Sequence, residues 1–174
     1  MAKMVSNGVV EDVKNSDANV FCLFVDSTRD KSNVENVAIG MRYVKGGKAY
    51  ENIITIQKTS QLDAKSMASL LLDKLKRFGL DTSRMISQCY DGCRTMSGDH
   101  GGVQRLVQNE LGREVPYVHC HNHRLHLVVV KMVESIQDIS TYFNQLETVH
   151  TFFRKLDVVN LYEGTNLKRV LATR

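Results

Sequence analysis

Val20-Phe21-Cys22-Leu23-Phe24-Val25, closed by Asp26, is the stretch on which the reading of the fold turns. Six apolar residues without alternation are the mark of a strand buried on both faces, and such strands belong to sheets flanked by helices. Downstream, Val37, Ile39, Met41 and Tyr43 alternate with smaller or polar residues, as a half-buried strand does. Gly46-Gly47 then supplies a turn that tolerates positive φ, and Tyr50 to Ile56 returns as a third strand, giving an antiparallel meander.

The period changes after residue 60. Ala64, Met67, Ala68, Leu71, Leu75 and Phe78 recur at helical spacing, and Gly79 marks the stop. Met85 to Tyr90 reads as a fourth strand, Val103 to Leu111 as a short helix ended by Gly112, and Val115 to Cys120 as a fifth strand. A long helical pattern follows from Leu125 through Phe153 to Leu156, with a break expected near Asp138–Ser140. The string βββαβαβα predicts an α/β fold, a mixed sheet with helices packed on it. One compact unit is expected: a ragged N-terminus over 1–17, a core over 18–123, and a long helix or helices over 124–174.

Bulk properties narrow the function classes. The 174 residues suit a single domain, and 43% hydrophobic with 24% charged residues is an ordinary globular composition. No apolar run approaches the roughly 20 residues that span a bilayer, and the N-terminus has no secretory h-region, so no membrane partner is expected. The net charge of +4 is spread along the chain without a basic block, which permits nucleic-acid binding without demonstrating it. Four cysteines (Cys22, Cys89, Cys93, Cys120) without a secretion signal point to a reducing compartment.

Chemistry is sought at the carboxyl ends of the strands, where open α/β sheets place their sites. Asp26 follows the first strand directly and Asp91 follows the fourth. If those strands are neighbours, the two carboxylates converge as hard oxygen ligands suited to Mg²⁺ or Mn²⁺, and two such ions support phosphodiester cleavage. The plainer alternative is that both are solvated residues that start turns. A second cluster is His119-Cys120-His121-Asn122-His123, with His126 close behind. It reads as a rim touching phosphate or an unpaired base, as helix capping and core packing, or as a zinc set of Cys89, Cys93, Cys120 and His123. The loop Asp91–Gly102 is glycine-rich but holds no phosphate-cradling motif, and no serine or cysteine forms a nucleophile elbow.

Three motifs in order carry a family resemblance. Val25-Asp26-Ser27-Thr28-Arg29-Asp30 followed by Arg42-Tyr43-Val44, then Tyr90-Asp91-Gly92-Cys93-Arg94-Thr95-Met96-Ser97-Gly98, then Val118-His119-Cys120-His121-Asn122-His123-Arg124-Leu125 are similar to the motifs of hAT-family transposases, in particular the transposase-derived domains of MYM-type zinc finger proteins. The resemblance covers about residues 18–157. It implies an RNase H-like five-stranded sheet of order 3-2-1-4-5 with flanking helices, followed by the start of a helical insertion. It further implies Asp26 and Asp91 as the first two carboxylates of an Asp-Asp-Glu triad binding Mg²⁺ or Mn²⁺. Cys120 and His123, with Arg124 beside them, would help handle DNA at transposon ends. His126 stands where the family usually has Asn, and Ser27 where Glu is frequent. The triad's glutamate would lie beyond the insertion, and neither Glu134 nor Glu147 holds its position, so this stretch is expected to be inactive by itself. A nuclear location (cytoplasm as the alternative), DNA as partner, a homo-oligomer and no small-molecule substrate complete the expectations. A domesticated DNA- or protein-interaction module is the other reading.

Overall fold

The computed structural model describes residues 2–29 and 34–153. Helix α1 (Ala2–Lys14) leads into strands β1 (Phe21–Arg29), β2 (Glu35–Lys45) and β3 (Lys48–Thr59). Helix α2 (Ala64–Arg77), a 3-10 turn at Thr82–Arg84, strand β4 (Met85–Tyr90), helices α3 (Arg94–Ser97) and α4 (Val103–Leu111), and strand β5 (Tyr117–His119) follow. Helices α5 (His121–Ser135) and α6 (Gln137–Phe153) close the described chain. The five strands form one sheet of order β3-β2-β1-β4-β5. The β1–β2 and β2–β3 pairs are antiparallel, and β1–β4 and β4–β5 are parallel. This is the expected mixed sheet of order 3-2-1-4-5, an RNase-like α/β fold.

One face of the sheet carries the core. Phe21, Leu23 and Val25 of β1, Val37, Ile39, Met41 and Tyr43 of β2, and Tyr90 of β4 are buried with Leu71 and Leu75 of α2 and Val103 and Val107 of α4. The alternate residues point to a more open face, where Val44, Ile53 and Ile56 are exposed and Cys22 and Phe24 are half-buried. The hairpin between β2 and β3 turns through Gly46 and Gly47, both with positive φ. Their N–H groups donate to the Asp17 carboxylate at 2.7 and 2.8 Å, so the turn is clamped by a residue upstream of β1.

Several details depart from the sequence reading. The N-terminus, expected to be ragged over 1–17, holds α1, whose Val9, Val10 and Val13 are buried in the core. The recurrence Val9-Val10-Val13 is one turn of apolar spacing, too short a signal to stand out beside Ser6, Asn7 and Gly8. Strand β1 runs on through Asp26 to Arg29, because backbone pairing with β2 continues to Arg29↔Glu35 after the apolar run ends. Strand β5 is shorter than the expected 115–120. The helical break falls at Ile136, two residues before the expected Asp138.

The chain divides into two compact units, Met1–Arg124 and Leu125–Arg174. In the second, Leu125, Val128 and Met132 form an exposed apolar stripe on α5, and Leu156 of the expected pattern lies outside the described residues. No described helix is long and apolar enough to cross a membrane.

Candidate functional site

The parallel pairing of β1 with β4 builds the site. Its register ends at Phe24↔Cys89, two residues before Asp26 on one strand and two before Asp91 on the other. Side chains alternate along a strand, so Asp26 lies on the face of Cys22 and Phe24; Asp91 follows the last residue of β4. Asp26 was expected directly after its strand and instead lies inside β1, paired with Ala38 on β2. On the β4 side, however, the ladder has already ended at Phe24↔Cys89. Asp26 is exposed and Asp91 half-buried. Each is oriented by a local backbone donor: Ser27 N–H reaches Asp26 Oδ1 at 3.0 Å, and Cys93 N–H reaches Asp91 Oδ1 at 3.3 Å. Among the described residues, the second oxygen of each carboxylate has no such backbone donor.

Asp91 begins a tight turn into α3. Ser97 Oγ donates to the carbonyls of Gly92 and Cys93 at 3.1 and 3.0 Å, closing the turn on itself. Beneath it, Gln88 is fully buried on β4. Its Nε2 donates to the Gln104 and Val115 carbonyls at 3.0 and 2.8 Å, and its Oε1 accepts from Tyr90 Oη at 2.9 Å. That network ties β4 to α4 and to the segment entering β5. Burial holds the Tyr90 hydroxyl far above its ordinary pKa, so it serves as a neutral donor.

The residues after β5 take the places that helix geometry assigns. Cys120 N–H donates to the Tyr90 carbonyl at 2.8 Å, and its own carbonyl accepts from Arg124 N–H at 3.0 Å, so Cys120 is the residue from which α5 starts. His123, half-buried, lies against His119 with ring centroids 5.5 Å apart. Arg124 is exposed, one turn into the helix. The aromatic rings continue inward: His119 stacks on Tyr117 at 6.4 Å, and Tyr117 lies 6.0 Å from Tyr90.

The zinc set of Cys89, Cys93, Cys120 and His123 is not assembled. Among the described residues no three His, Cys, Asp or Glu side chains are grouped as metal ligands. Zinc also requires thiolates. Burial, then neighbouring thiols, pushes the Cys89 thiol up; desolvation and the adjacent Asp91 carboxylate push that of Cys93 to about 11.

Sequence reasoning passed over Gln88 and Tyr117 and gave Gly92 only a turn role. Tyr117 Oη donates to the Asp91 carbonyl at 2.9 Å. A side chain on Gly92 would collide with the His119 imidazole, so glycine is required there by close approach. The alternation of Tyr117 and His119 about Val118 was the available signal, but a three-residue strand is too short for a period to show.

The model of a protein family described as the ZMYM1/FAM200 RNase-like domain matches residues 1–102. The chain belongs to this family. The matched residues of the ZMYM1/FAM200 RNase-like domain take in α1, the three meander strands, α2, and β4 with the Asp91 turn, and so include both aspartates. Strand β5 and the stretch His119–Arg124 lie beyond the match.

Proposed function

We propose that this chain is the N-terminal part of a hAT-type transposase RNase H-like domain, in which Asp26 and Asp91 hold a divalent cation, Mg²⁺ or Mn²⁺, against DNA. The observation that supports this reading is the β1–β4 register, parallel up to Phe24↔Cys89, two residues before Asp26 on one strand and two before Asp91 on the other. Their donor chemistry fits the ion. Mg²⁺ is commonly held by one or two carboxylates and completed by water and phosphate oxygens rather than by a full protein cage. Such a cation, when bound, polarises a phosphate oxygen and lowers the pKa of a coordinated water. The protein's own part is to present two carboxylates, one from within β1 and one from the turn that follows β4. Cys120, His123 and Arg124 at the start of α5 supply a rim for the DNA backbone, with Arg124 as the phosphate contact. A nuclear site of action accompanies this reading.

Cleavage asks for more than two ligands, because the ions must be fixed in geometry as well as bound. Among the described residues no third carboxylate joins Asp26 and Asp91. That favours a second reading for the chain by itself: a DNA- or protein-interaction module of transposase origin that binds without cutting.

Mn²⁺ titration followed by electron paramagnetic resonance, together with nicking of supercoiled plasmid, tests both. The expected result is Mn²⁺ binding that weakens at least tenfold in Asp26→Asn and in Asp91→Asn, with no nicking. Binding indifferent to both substitutions would remove the metal assignment. Mn²⁺-dependent nicking lost in both variants would replace the binding module with a nuclease.

A further inference from the structure

Beyond the two aspartates, the short strand β5 borders the turn that carries Asp91. Tyr117 and His119 lie on the same side of this strand, two residues apart, and both meet the turn that carries Asp91. Tyr117 Oη donates to the Asp91 carbonyl at 2.9 Å and lies 3.4 Å from the Tyr90 carbonyl, so it grips the chain where β4 ends. The His119 ring fills the space over Gly92 that a side chain would occupy. It is held there by stacking between Tyr117 and His123. Its Nε2 is buried and has no hydrogen-bond partner among the described residues, so packing rather than a polar contact fixes the ring.

We propose that Tyr117 and His119 are positioning residues that lock the Asp91–Gly92 turn, so that the Asp91 carboxylate faces the cation without reorganising. This rests on the reading of Asp26 and Asp91 as cation ligands. The turn has one wall on each side. Tyr117 pulls the Asp91 carbonyl toward β5, and His119 blocks Gly92 from moving into the same space. Among the described residues the carboxylate meets only Cys93, through its N–H at 3.3 Å and its thiol, so its direction is set by the turn that carries both residues. Partners of this kind, one step removed from the ligand, typically govern 10- to 100-fold of metal affinity.

Two substitutions disturb the lock from opposite sides without touching a carboxylate. Tyr117→Phe removes one hydroxyl; Gly92→Ala drives a methyl group into the His119 ring. In the full chain, each is expected to weaken Mn²⁺ binding about tenfold and to broaden the bound-Mn²⁺ resonance spectrum. Val10→Ala on α1, whose helix packs on β2 and β3, serves as the control for lost stability. It is expected to lower the melting temperature while Mn²⁺ affinity stays within twofold of the parent. Parental affinity in both Tyr117→Phe and Gly92→Ala, with Asp91→Asn still losing the ion, would overturn the lock and leave the metal reading standing. Affinity that falls with melting temperature in all three variants would reduce Tyr117 and His119 to ordinary packing. If the parent chain binds no Mn²⁺, the metal reading and the lock fall together.

Discussion

Gln88 shows how much a single polar side chain can organise. Its amide is fully buried, and every one of its hydrogen bonds reaches a different part of the fold: α4, the entry to β5, and the ring of Tyr90. Gln88→Leu keeps the bulk but strands the Tyr90 hydroxyl and the Val115 carbonyl, each costing about 1–3 kcal/mol when left unpaired. A loss of about 2–4 kcal/mol in urea unfolding is therefore expected, larger than for an exposed substitution such as Ile86→Leu. Cys93 offers a second check at this scale. Its residue is exposed, yet packing about the sulfur and the neighbouring Asp91 hold the thiol up at about 11, so little thiolate exists at neutral pH. Iodoacetamide should label it slowly at pH 7 and progressively faster as pH rises toward 11. In Asp91→Asn, which removes the adjacent charge, the same labelling should begin at lower pH. The two candidate aspartates stood out because each closes a strand-like apolar run. Gln88 was not, because an amide inside a strand looks like an exposed residue until its partners, 16 and 27 residues away, are known.

Among the elements, α1 departs furthest from expectation. It is held by a buried apolar turn and by polar ties: Ser6 Oγ donates to the Ile54 carbonyl at 2.6 Å, and Asp12 pairs with Lys45 at 2.5 Å while accepting from Tyr43 Oη. The ion pair is half-exposed and contributes little by itself. The stabilising part is the burial of Val9, Val10 and Val13. Val13→Ala is expected to cost about 2 kcal/mol by chemical denaturation, from lost apolar contact plus the cavity it leaves. If α1 were a loose appendage, the same substitution would leave the unfolding midpoint unchanged. The strands and the helices α2 and α4 were readable because each has its own period; α3, read as part of a glycine-rich loop, and the extension of β1 past Asp26 were not. Ser27 and Thr28 are polar and exposed, and only the partner strand keeps them extended.

Across the whole molecule, exposed aspartates couple stability to pH. Four carboxyls are held below their ordinary range, each chiefly by hydrogen bonds: Asp12 by Lys45, Asp17 by the N–H groups of Gly47 and Gly46, Asp63 by Ser66 and Asp81 by Ser83. A folded-state pKa below the unfolded one means that the stabilisation is present in full above the unfolded value, near pH 4. It is lost as pH falls through the folded value. The melting temperature should therefore hold steady from pH 7 to about 5 and drop below about 4. Asp17→Asn should flatten part of that drop; a variant with the parental acid profile would show that the hairpin clamp plays no part in it. By itself the sequence determined the order of the five strands with α2 and α4 between them, and the mixed sheet that order implies. Apolar periods, turn glycines and right-handed crossovers are local or topological constraints that leave few arrangements. It also put Asp26 and Asp91 at candidate strand ends. Only the tertiary structure decided that β1 and β4 are parallel neighbours with Phe24 opposite Cys89, since that depends on a register between strands more than sixty residues apart. It alone brought Tyr117 and His119 against the Asp91 turn, because contacts across a sheet are set by packing and leave no period in the chain.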